Sequence, residues 1–197
     1  MSLIFAMMVF SFVMSISPGP VNIIIVSSSI NNGFKASFPF LSGATLGFTC
    51  LLGFIAFGFI NMIEEFPSLF SYLSVLGSMF IAYLGFKILI SHASLQIEQN
   101  SKNAPKFYEG FILQWLNPKA WMACVSGVSM FSSSSYNLML FILIYFIVCY
   151  MSLSFWGLIG QKITILFNSE FKLKVLNTIM GLALIIIAVY LLVINIK

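Results

Sequence analysis

The chain has 197 residues, of which 60% are hydrophobic and 7% charged, and its mean hydropathy is +1.07, whereas soluble domains average about 25% charged residues. That balance excludes a water-soluble fold and reads as an all-α integral membrane protein. The formal net charge of +4 arises without one arginine or aspartate, so a forked guanidinium clamp is excluded and no basic stripe offers itself to nucleic acid.

Six apolar runs follow one another at about 2–29, 38–60, 69–90, 111–131, 138–161 and 175–194. Each is near the roughly 20 residues that a helix needs to cross a bilayer, and none shows the short alternating pattern of barrel strands. Residues 3–16 could pass for the apolar part of a signal peptide, but the first lysine is Lys35, so they read as a retained first span. Turn-forming residues mark the connectors: Asn31-Asn32-Gly33, then 61–67, 91–106, 132–136 and 168–174. None is long enough to fold alone, so residues 1–197 form a single polytopic membrane domain.

Lysines orient the spans. Lys35 lies in the first connector, Lys87, Lys102 and Lys106 at the third, and Lys162, Lys172 and Lys174 at the fifth. The second connector carries Glu64 and Glu65 without a lysine, and the fourth carries no charge. The positive-inside rule then makes the odd connectors cytoplasmic and places both termini outside. Six crossings divide into two inverted three-helix halves, about 1–100 and 101–197, as an inverted repeat requires.

Two stretches interrupt the helices expected from this pattern. Ser17-Pro18-Gly19-Pro20-Val21-Asn22 sits inside the first run, and Asn117-Pro118-Lys119 at the corresponding place in the fourth. Proline lacks the amide donor and clashes with the preceding turn. A break at membrane depth is tolerated where the freed backbone is buried in protein or lines a wet cavity. Paired breaks are the pattern of a secondary transporter that holds substrate between half-helices, so Pro18, Gly19, Pro20, Asn22, Asn117, Pro118 and Lys119 are the candidate substrate-binding residues. A packing kink without further consequence is the plainer alternative.

Single residues keep two readings each. Asn22 suits a zwitterionic substrate or an N-cap of the second half-helix. Lys119 could pair with a substrate carboxylate or snorkel along its stem to the cytoplasmic surface. Asn117 is cavity-lining or a partner for freed backbone. Gly43 and Gly47, one turn apart, are explained by close helix packing. Glu64 and Glu65 read as a solvated mouth, and His92 has no assigned role.

Other chemistries fit less well. Ser126 and Lys119 lie about 10 Å apart along one helix face, too far for a serine-lysine dyad. No glycine-rich nucleotide loop is present, and neither cofactor nor metal is implied. Cys50, Cys124 and Cys149 fall in apolar runs as small hydrophobes. Cys124 near the second break would suit a thiol relay, but the first span offers no symmetric cysteine. A non-transporting anchor subunit remains a third reading.

Ser17-Pro18-Gly19-Pro20, Asn32-Gly33-Phe34-Lys35, Gly43 with Gly47, and Leu116-Asn117-Pro118-Lys119 resemble the LysE/RhtB family of amino-acid exporters, over essentially the whole chain. Pro20-Val21-Asn22 running into Ser27-Ser28-Ser29, and Phe111-Ile112-Leu113-Gln114-Trp115, look most like its cysteine and O-acetylserine branch. The resemblance implies proton-coupled export of small neutral amino acids across the bacterial inner membrane. Many members carry an aspartate after the second proline, where this chain has Val21-Asn22. Glu64, Glu65, Glu98, Glu109 and Glu170 all fall in or at the ends of connectors, which leaves the coupling residue open. A homodimer through small-residue faces also stays open.

Overall fold

The computed structural model describes residues 2–59, 67–90, 104–166 and 169–196. The second connector with Glu64 and Glu65, most of the third with His92, Glu98 and the boundary between the expected halves, and Asn168 in the fifth lie outside the described residues. Among the described residues all regular structure is helical: α1 (Leu3–Ile16), α2 (Pro20–Asn32), α3 (Phe34–Phe54), α4 (Pro67–Leu89), α5 (Phe107–Trp115), α6 (Pro118–Phe131), α7 (Ser135–Leu166) and α8 (Glu170–Ile196), with a π turn at Ile55–Phe59 after α3.

Three helices, α3, α7 and α8, are long and apolar enough to cross a membrane, and α1 with α2 adds a fourth crossing if the bent pair is one span. Val75–Leu89 in α4 is a shorter apolar stretch. The chain is therefore a multi-pass helical membrane protein.

Local chemistry explains where the helices stop. The amide missing from Pro18 would have bonded Met14 O in a continuous helix, and the Ser17 hydroxyl donates to that carbonyl at 3.1 Å instead. Gly19 is extended (φ −166°, ψ 178°) and Pro20 opens α2, at the helix position where a missing amide costs nothing. The chain turns by 59° between α1 and α2. Gly33, at φ 80°, makes the next turn into α3. Only glycine takes that conformation without strain.

The most extensive packing joins α4 to α8, α3 to α5, and both α1 and α2 to α7. Gly43 and Gly47 face α5 so closely that a Cβ at Gly43 would overlap Phe107 O, and one at Gly47 would lie 2.7 Å from Phe111 O. The same contact has Gly110 of α5 against Phe40 O. Several polar groups buried between helices are paired, as low dielectric favours. Asn31 and Asn177 exchange amide hydrogen bonds of 3.1 and 2.7 Å between α2 and α8. The carboxylate of Glu109, 5% exposed, meets Lys87 Nζ at 3.0 Å and accepts from the Lys106 amide at 2.6 Å. That pair, buried at Glu109 and partly exposed at Lys87, ties the end of α4 to the start of α5 and is invisible in a reading of Glu109 as the edge of a connector.

Candidate functional site

The break between α1 and α2 leaves carbonyls that a continuous helix would have satisfied internally, and side chains from elsewhere take them up. Asn22 Nδ2 donates to Ser15 O at 3.1 Å. The Trp156 indole, from α7, donates to Ile16 O at 3.1 Å. Lys119 Nζ, 102 residues away in sequence, donates to Ser17 O at 2.7 Å and to Pro18 O at 3.4 Å. No side chain caps the opposite end, the amino terminus of α2, whose N-cap is Gly19.

The second break is built alike. Leu116 and Asn117 separate α5 from α6, Pro118 opens α6, and Asn117 Oδ1 accepts from the Lys119 amide at 3.1 Å. Here too an indole covers a freed carbonyl, with Trp121 Nε1 donating to Trp115 O at 2.7 Å. The two breaks meet. Gly19, Pro20 and Asn22 from the first and Asn117 and Lys119 from the second line one cavity of about 40 Å³, room for about three waters. Ser15, Gln114, Tyr145 and Cys149 add polar atoms to its wall, and Met14, Val21, Phe48 and Leu153 its apolar part. Phe48 and Tyr145 stack there with ring centroids 4.2 Å apart.

A family model described as LysE type translocator matches residues 12–194, a span that includes both breaks and the whole cavity wall. The chain belongs to the LysE type translocator family. Among curated relatives, the cysteine/O-acetylserine efflux protein of Salmonella typhimurium strain LT2 is 28% identical over 130 residues, covering 66% of this chain and 65% of that protein. The protein of that name from Escherichia coli O1:K1 is 29% identical over 131 residues, covering 66% of each chain. The chain thus spans about two thirds of the length of these relatives. None of the solved structures matches it.

In this LysE-type translocator five of the candidate residues, Gly19, Pro20, Asn22, Asn117 and Lys119, line the cavity, while Pro18 contributes a carbonyl beside it. Pro118 opens α6 without lining it. Two of the single-residue readings change. Asn22 is no N-cap, because Gly19 holds that position, and its amide instead bridges back to α1. Lys119 does not snorkel to a surface; its ammonium turns inward onto the carbonyls of the first break. Asn117 fulfils both of its readings, lining the cavity and capping α6. Ser126 is exposed and lies off the cavity.

Sequence reading passes over Ser15, Gln114, Tyr145 and Cys149 as site residues. Ser15 and Cys149 sit in apolar runs where small residues look like packing, and the one signal available is Gln114, an amide inside an apolar stretch two residues before Leu116. Ser15 is 7% exposed, and its hydroxyl lies within reach of Tyr145 and Cys149 on the same wall.

Proposed function

We propose that the protein is a secondary transporter, and no enzyme, that exports small neutral amino acids or their derivatives, cysteine and O-acetylserine first among them, across the bacterial inner membrane. The observation that carries this reading is the meeting of two broken helices at one small polar cavity. α1 ends in carbonyls and α2 begins with amides at the same place. The partial charges of these helix ends are negative and positive respectively, which matches the ammonium and carboxylate of a zwitterion. Asn22, Asn117 and Lys119 supply the side-chain contacts, with Lys119 beside the carboxylate.

Cysteine and O-acetylserine have roughly seven and ten heavy atoms, and space for about three waters does not admit them. On this reading the cavity widens toward one side and then the other, by alternating access. Six spans in two inverted halves, α1–α2, α3 and α4 followed by α5–α6, α7 and α8, with both termini outside, would provide the symmetry for that exchange. Proton influx coupled to amino-acid efflux is the energy source that this reading assigns.

Efflux from loaded proteoliposomes across a panel of amino acids tests it, with and without an imposed pH gradient. Cysteine and O-acetylserine should leave several-fold faster than arginine or phenylalanine, and faster still when protons run the opposite way. Silence for every amino acid would contradict the transport reading and favour an anchoring subunit.

A further inference from the structure

We propose that the Lys119 ammonium is a tethered stand-in for the ammonium group of the substrate, seated on the Ser17 and Pro18 carbonyls until an amino acid exchanges for it. The inference rests on reading this cavity as the substrate site. It goes beyond that reading by assigning the lysine two positions and the substrate a required pair of charges.

Two observations carry it. First, Nζ makes bonds of 2.7 and 3.4 Å to Ser17 O and Pro18 O. A primary ammonium on two carbonyls at the negative end of a half-helix is the contact that the α-ammonium of an amino acid would make there. The neighbouring carbonyls are held differently: Ser15 O by the short Asn22 amide and Ile16 O by the rigid Trp156 indole. Only the pair under Lys119 is covered by a group on a flexible four-carbon stem, which can withdraw without moving a helix.

Second, the seat is shaped for the lysine. A Cβ on Gly19 would lie 3.2 Å from Lys119 Nζ and 3.3 Å from its Cδ, tighter than ordinary van der Waals contact, so glycine leaves the side chain its path across the break.

The charges then balance in both states. Empty, the carbonyl pair holds Lys119. Loaded, it holds the substrate ammonium, and the displaced lysine meets the substrate carboxylate beside the amino end of α2. Neither the carbonyls nor the carboxylate is left bare. A molecule must carry both groups to make the exchange, so an amino-acid ester lacks the group that would receive the lysine, and an N-acylated amino acid lacks the group that would replace it.

The test measures binding to the purified full chain by calorimetry, with L-serine methyl ester as a cation without a carboxylate and N-acetyl-L-serine as an anion without an ammonium. Wild type should bind neither appreciably. In Lys119→Met the vacated carbonyls should accept the ester about tenfold more tightly or better, the measure of one charge-assisted hydrogen bond, while N-acetyl-L-serine gains nothing. Lys119→Arg, which keeps a cation on the seat, should exclude the ester as wild type does. If the methionine variant does not elute as a folded protein, Lys119→Gln is read in the same way. Equal ester affinity in wild type and the neutral variants, or an equal gain in Lys119→Arg, would overturn the proposal. The two readings also fail separately: active efflux without an ester gain sinks the stand-in alone, and an ester gain in a protein silent for every amino acid sinks transport alone.

Discussion

No backbone carbonyl from Val13 to Gly19 is left bare at the first break. Ser17 N bonds Val13 O, the Ser17 hydroxyl bonds Met14 O, Asn22, Trp156 and Lys119 take the next four, and Ile23 N bonds Gly19 O. Asn22→Ala removes the donor to a buried carbonyl and should destabilise the protein by about 1–3 kcal/mol, read as a lower thermal midpoint in detergent. Trp156→Phe exposes Ile16 O and should cost a similar amount. Efflux separates them, because Asn22 lines the cavity and Trp156 does not: transport per folded molecule should fall further in Asn22→Ala. Equal efflux from both variants would count against a substrate role for Asn22. Residues whose partners are local were legible in the sequence. Asn117 caps an amide two residues on, and the prolines act on their own helix. Lys119 was legible as an anomaly only, since a carbonyl 102 residues away enters no local rule.

Between elements, glycine placement decides how near two backbones come. Gly43 and Gly47 bring α3 onto α5, which positions Gln114 and the second break beside the first. A Cβ at Gly43 would overlap Phe107 O, whereas one at Gly53 of the same helix would meet nothing within 4 Å. Overpacking against immovable backbone costs about 1–3 kcal/mol or more. Gly43→Ala should therefore lower the thermal midpoint measurably and Gly53→Ala should leave it unchanged, with size-exclusion profiles recorded for both. A stable Gly43→Ala protein would mean that α3 and α5 lie farther apart. The existence and order of the helices were readable from hydropathy, and their ends fell within a few residues. The pairing α3 with α5 was not, because an all-round apolar helix presents no single face from which to infer its neighbour.

For the molecule as a whole, the lysine bias predicts an orientation of the spans, and that orientation can be measured. In a chain with Cys50, Cys124 and Cys149 replaced by alanine, efflux should remain substantially intact, since none of the three is assigned chemistry; complete loss in an inserted, folded protein would revive the thiol relay. On that background a cysteine at the exposed Ser134 should react with an impermeant thiol reagent from outside and one at the exposed Lys172 should not. The reverse pattern would invert the assigned topology. The transport reading depends on the first break being the site rather than a kink. Proline is disfavoured against alanine by about 3 kcal/mol inside a helix, so Pro18→Ala with Pro20→Ala should let α1 run into α2 and withdraw the carbonyls and amides from the cavity. The decisive measurement is amino-acid efflux by this double variant beside wild type, in proteoliposomes holding equal amounts of inserted protein. Export should collapse while insertion and folding survive. Near-normal export would contradict the claim that the break between α1 and α2 forms the transport site.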